Sequence, residues 1–152
     1  LDGFCVFRGG EVCHGYSQIF RHGSVEATTA SMLVERDGKR YFRCPDLPQN
    51  FTKALSLYMI GLRELDASPP IFLQISAFDI YGVSIRPKDI MAGYVPPPFN
   101  REELHLPPTI ITEYREDDNY ESVIAEQMDF LWNVFGFEQC IYFDENGKWI
   151  DE

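Results

Sequence analysis

Three glycine-bearing dipeptides, Gly9-Gly10, His22-Gly23 and Asp37-Gly38, divide residues 4–43 into four short runs rich in apolar and β-branched side chains. Glycine reaches the positive φ that a two-residue hairpin loop demands, and Asp-Gly is the strongest sequence sign of such a loop. The spacing therefore predicts an antiparallel meander with strands at residues 4–8, 12–20, 24–35 and 39–43. In the tightest pairing around Gly9-Gly10, Arg8 faces Glu11, Val6 faces Cys13 and Cys5 faces His14. Cys5 and Cys13 then point to opposite faces of the sheet and cannot bond to each other.

After the meander the apolar period changes. Phe51, Leu55, Tyr58, Met59, Leu62 and Leu65 follow helical spacing with one face inward, and Asn50 is the expected N-cap. The segment Asp66-Ala67-Ser68-Pro69-Pro70 ends that helix, because proline disfavours the α conformation before it and donates no backbone bond. Residues 71–78 are almost continuously apolar and predict a central strand covered on both faces, continued over 79–86 beyond a bend at Gly82. Residues 87–108 hold six prolines and predict a long ordered surface loop, packed by Met91, Tyr94 and Phe99.

A β-branched strand at 109–114 precedes a second helix with Asn119 at its start and Gly136 in the left-handed position past its end. Its inward face is Val123, Ile124, Met128, Leu131, Trp132 and Phe135. A short strand at 139–143 then turns through Asp144-Glu145-Asn146-Gly147 so that Trp149 folds back. Together these elements predict an α+β fold, in which an N-terminal antiparallel β-meander continues into a mixed sheet with two main helices packed on it. Residues 1–152 are read as a single domain, since 152 residues with 45% hydrophobic content suffice for one core.

A net charge of −11, with Lys and Arg scattered through the chain, repels a phosphate backbone and argues against direct contact with nucleic acid. The greasiest run, 71–83, is interrupted by Gln74, Ser76 and Asp79, short of the ~18 apolar residues of a membrane span. The opening Leu1-Asp2-Gly3-Phe4 lacks an initiator methionine and a signal peptide, so the chain is expected to be a fragment of a longer, cytoplasmic protein.

Cys5, Cys13, Cys44 and Cys140 show no CxxC spacing, and His14, His22 and His105 complete no ligand pattern; reduced thiols, no metal and no cofactor are expected. The acidic run Glu113, Glu116, Asp117 and Asp118 lacks the alternating oxygen ligands of a calcium loop, and Asp144-x-Asn146-Gly147 reads as a turn. Arg8, His14, Tyr16, Arg21 and His22 do not share one face in a regular strand, which weakens them as an anion-recognising surface.

The order of the pieces resembles the C-terminal region of bacterial proteins that carry an N-terminal Schlafen AlbA-like DNA-binding domain, described as ATP-binding or transcriptional-regulator-like. The resemblance is carried by Phe7-Arg8-Gly9-Gly10, by Gly15-Tyr16 with Phe20-Arg21-His22-Gly23 and Glu26-Ala27, and by Pro69-Pro70 before the strand that ends near Tyr81-Gly82. Leu131-Trp132-Asn133 and Tyr142-Phe143-Asp144 with Gly147 and Trp149 complete it. It implies that the DNA- or nucleotide-binding part lies upstream, and it carries no catalytic or ligand residue onto this chain.

The leading expectation is therefore a non-catalytic regulatory domain that supports oligomerisation, effector sensing or contact with other domains of the same protein. The alternative is a small-molecule binder or an enzyme with a pocket between the meander and the first helix. Cys5, His14, Tyr16 and Glu26 are the polar groups nearest to that pocket.

Overall fold

The computed structural model describes residues 3–44, 46–87 and 96–150. In chain order its elements are β1 (Gly3–Gly9), β2 (Cys13–Phe20), β3 (Val25–Thr29), β4 (Leu33–Arg36), β5 (Lys39–Phe42) and α1 (Asp46–Glu64). There follow β6 (Ile71–Leu73), β7 (Ser76–Phe78), β8 (Ser84–Ile85), β9 (Glu103–His105), β10 (Thr109–Ile111) and α2 (Glu121–Val134). The fold is α+β, with an N-terminal antiparallel meander, a mixed sheet and two main helices, as the sequence predicts.

The meander proper is the sheet β1-β2-β3. The run at 24–35 breaks after Thr29, and its second half becomes β4, the first strand of a hairpin with β5. Asp37 and Gly38, at φ 53° and 68°, form the loop of that hairpin; both central residues of a type I′ turn need positive φ. β8 joins β5 in parallel through Tyr41↔Ser84 and Phe42↔Ile85, which makes this second sheet mixed. Arg40 braces the approach, donating to the Asp79 carboxylate at 3.0 Å and to the carbonyls of Asp79 and Tyr81 at 2.9 and 2.7 Å.

Helix α1 starts at Asp46, earlier than the apolar period indicates. Leu47 and Pro48 are both buried and extend its inward face, and proline is tolerated in a first turn, where its missing N–H has no intrahelical partner. Asn50 is consequently inside the helix, donating to the Asp46 carbonyl at 2.6 Å, and is not its cap. Leu65 falls past the last turn and is exposed.

The span 71–78 is not one central strand. Gln74 interrupts it, donating to the Leu106 carbonyl at 2.6 Å, so that β6 pairs with β10 and β7 with β9 in separate two-stranded ladders. Each ladder buries one face only, and Phe72 and Phe78 are exposed. The proline-rich stretch likewise contains a strand, β9, and Phe99 packs its ring 6.3 Å from that of Phe135; Met91 and Tyr94 lie outside the described residues.

All six residues predicted for the inward face of the second helix are buried, with Met128, Trp132 and Phe135 fully so. Tyr120 occupies the cap position, but the Asn119 side chain still accepts from the Glu121 N–H at 2.9 Å. Gly136 ends the helix at φ 83°, with Phe137 N–H donating back to the Trp132 carbonyl at 3.2 Å. At 139–143 there is no strand, only a bridge between Phe143 and Trp149, yet the Asp144–Gly147 turn forms and Trp149 stacks on Tyr142 with ring centres 5.8 Å apart.

Candidate functional site

Edge strand β1 carries the most exposed apolar side chains of the meander: Phe4 is 79%, Val6 72% and Phe7 69% exposed. Directly paired residues in an antiparallel sheet share a face, so the register sorts the side chains. Phe4, Ile19 and Val25 lie on one face with Val6, Ser17 and Ala27. This face looks toward α1, because Ser17 and Tyr58 share a hydrogen bond of 2.5 Å and Val25 packs against the core. Phe7, Tyr16 and Thr28 lie on the opposite face with Cys5, Gln18 and Glu26.

That sorting corrects the geometry expected for Cys5, His14, Tyr16 and Glu26. The β1–β2 loop is longer than two residues: Gly9 pairs with Cys13 and, across a bulge, Arg8 with Gly15. Cys5 therefore stands opposite Gln18, and His14 lies four positions away, roughly 13 Å along the strand at its usual rise. Tyr16 and Glu26 do meet, the phenol donating to the carboxylate, and this bond raises the Tyr16 pKa above its ordinary value. With Cys5, they occupy the face turned away from α1, so these groups do not line a pocket between meander and helix. His14 and Tyr16 instead border an open depression of about 430 Å³ with Phe7, Arg8, Thr28 and Ser31, which neither Cys5 nor Glu26 lines.

A second polar grouping escaped the sequence reading. Ser76 and His105 are cross-strand partners in the β7–β9 ladder, with Ser76 Oγ 2.8 Å from His105 Nδ1. Glu103, two residues before His105 and on the same face, holds Nε2 at 3.2 Å. An Nε2–H directed at Glu103 leaves Nδ1 free to accept the Ser76 proton, the order of groups in a serine-hydrolase relay. Its surroundings differ, since the His105 and Glu103 side chains are 56% and 57% exposed and water competes for both bonds. Beside it lies a shallow depression of about 550 Å³ bordered by Phe99, Arg101, Leu104 and Val134. The pattern Glu103-x-His105 was the available signal; the pairing with Ser76 depends on long-range register.

The thiols divide by environment. Cys5 and Cys13 are exposed, whereas burial pushes Cys44 and Cys140 up to about 12, the neighbouring Cys140 adding to the effect on Cys44. Cys44, which is half-buried, and Cys140, which is buried, are thus protonated at neutral pH and poor nucleophiles. Among the described residues no group of three His, Cys, Asp or Glu side chains is placed to hold a metal ion. No described helix is long and apolar enough to cross a membrane. Comparisons with family models, curated proteins and solved structures find no match to this chain.

Proposed function

We propose that this chain is a non-catalytic assembly module, serving a cytoplasmic DNA-binding regulator of the kind that the Schlafen AlbA-like resemblance implies. The observation that supports the reading most directly is the edge strand β1. Among the described residues no strand pairs with its outer backbone groups, and Phe4, Val6 and Phe7 leave large apolar surface in water on both faces. Proteins usually blunt such an edge with charge, proline or a covering element, because it templates pairing with another strand. Within β1 the one charge is Arg8.

A second apolar spot fits the same role: Phe72 and Ile110 are paired partners on the exposed face of the β6–β10 ladder. The net charge of −11 disfavours a nucleic acid as partner and leaves protein surfaces as the natural target. Four free cysteines suit a reducing compartment.

The test is the solution mass of the chain by light scattering across a hundredfold concentration range. Under this reading the mass rises to a defined multiple of the 17.6 kDa monomer, and a Phe4→Glu/Phe7→Glu double variant returns it to one. A strict monomer at the highest concentration, with native circular dichroism, overturns it.

A further inference from the structure

We infer that the partner on β1 is a second copy of this chain, joined antiparallel about a two-fold axis at Val6 to give one continuous six-stranded sheet. The inference rests on the assembly reading and adds its register. Backbone polarity comes first. In the β2–β3 ladder, Phe20 N–H donates to the Ser24 carbonyl at 2.9 Å and Ala30 N–H to the His14 carbonyl at 2.8 Å, so the even-numbered residues of β2 bond toward β3. In a regular antiparallel pair, bonding direction alternates along the strand. Gly15, Ser17 and Ile19 therefore bond toward β1, and their partners Arg8, Val6 and Phe4 bond toward β2. Gly3, Cys5 and Phe7 are left with N–H and C=O directed out of the sheet.

An incoming antiparallel copy must match outward residues to outward residues. An axis at Val6 does so while engaging the whole seven-residue strand. Cys5 pairs with Phe7 of the second copy and Phe7 with its Cys5, closing about four hydrogen bonds. Gly3 falls opposite Gly9, where neither end carries a side chain to clash. An axis at Cys5 or at Phe7 leaves one end of the strand unpaired.

Side chains agree with this register. Val6 meets its own copy in the non-hydrogen-bonded position, where Cα atoms approach to about 4.5 Å and side chains pack closest. Phe4 lies opposite Arg8 of the second copy on the same face, so the guanidinium meets a ring and not another cation. Two copies at −11 each repel, and β1 itself adds no carboxylate to the seam.

Cross-linking at the axis tests the proposal. In a background where Cys5 and Cys13 are replaced by Ser, V6C under mild oxidation is expected to convert most of the chain to a disulfide-linked dimer, while F4C, roughly 13 Å from its copy at the usual rise, stays monomeric. A second variant reports on the backbone: Cys5→Pro removes an outward N–H without touching the β1–β2 ladder, and is expected to weaken dimerisation at least tenfold with an unchanged circular dichroism spectrum. A dimer by light scattering that links through native Cys5 or through F7C, or that survives Cys5→Pro, overturns the register and the proposal but leaves the assembly reading intact. A monomer by light scattering overturns both.

Discussion

The hydroxyls of Ser17 and Tyr58 lie 2.5 Å apart and tie the inner face of β2 to α1. Next to them, Ile19 Cδ1 would lie 3.4 Å from a Cβ added at Gly61, so the helix presents its glycine to a sheet side chain. The meander thus meets α1 through a small polar and apolar patch. Tyr58→Phe keeps the ring and removes the part-buried partner of Ser17, and should lower stability by about 1 kcal/mol in urea denaturation. In hydrogen exchange the β1 and β2 amides should lose protection in this variant while α2 keeps its own, since local openings follow local contacts. Equal loss in both would mean that meander and helices open only together.

The interior of α2 is the opposite case. Trp132 is fully buried, with its ring edge-on to Tyr142 at 6.1 Å. Five residues earlier the buried Gln127 donates to the Pro107 carbonyl at 3.0 Å and to Thr109 Oγ1 at 2.7 Å, holding the strand entry of β10. Trp132→Ala should cost about 3–5 kcal/mol through lost burial and a cavity, a large part of the total for a domain of this size. Gln127→Ala should cost about 2 kcal/mol, because it removes both hydrogen bonds of a fully buried side chain as well as opening space. Thermal melts of the two variants against the parent chain check both values and their order.

What could be read from the sequence was what local chemistry decides. Asp37-Gly38 fixed its hairpin, and the six inward positions of α2 followed from a 3.6-residue period interrupted by nothing. Gly9-Gly10 was ambiguous because Glu11 and Val12 also fit a longer loop, and the observed register moved the partner of Cys5 from His14 to Gln18. The break inside 71–78 was hidden for another reason. It depends on Gln74 reaching the Leu106 carbonyl, a contact 32 residues away that no periodicity encodes. The same long-range pairing of β7 with β9 brings Ser76, His105 and Glu103 together.

That surface chain of hydrogen bonds gives a sharp check on the non-catalytic reading. Ser76→Ala should change stability by less than about 0.5 kcal/mol, as expected of an exposed polar pair. A fluorophosphonate probe, which labels activated serines, should leave the chain unmodified by mass spectrometry. An adduct at Ser76 would instead mean that the relay activates its hydroxyl, and would move the functional reading to acyl transfer.

Alkaline pH should draw on Cys44 and Cys140. Cys44 and Cys140 titrate near 12 in the folded chain because burial disfavours the thiolate, whereas in the unfolded chain they ionise near the ordinary value of 9.0. A folded pKa raised above the unfolded one means that the folded state holds its protons longer. The associated stability is complete below about pH 8.5 and is lost as pH rises from 9 towards 12, at no more than about 1.4 kcal/mol per pH unit for each thiol. Tyrosines and lysines also ionise there, so the quantity to measure is the difference in slope between the parent chain and a Cys44→Ala/Cys140→Ala variant. Parallel slopes would show that the thiols are more solvated than the structure has them.

Gly147 offers a test of how the C-terminal turn is seated. It has a φ of 70°, and a Cβ there would stand 2.8 Å from Ser122 Cα and 3.0 Å from Ser122 Cβ, at the start of α2. Gly38 has nearly the same φ, 68°, but a Cβ on it would meet nothing within 4 Å. Alanine at either site carries the left-handed backbone penalty of about 1 kcal/mol. Only at Gly147 must the chain also withdraw from the helix, and withdrawal unstacks Trp149 from Tyr142. Gly38→Ala should therefore lose about 1 kcal/mol with its near-ultraviolet circular dichroism unchanged. Gly147→Ala should lose about 2–3 kcal/mol with a diminished tryptophan signal. Equal losses in the two variants would mean that the turn does not rest on α2, and that the Trp149 stack is held by the Phe143 bridge alone.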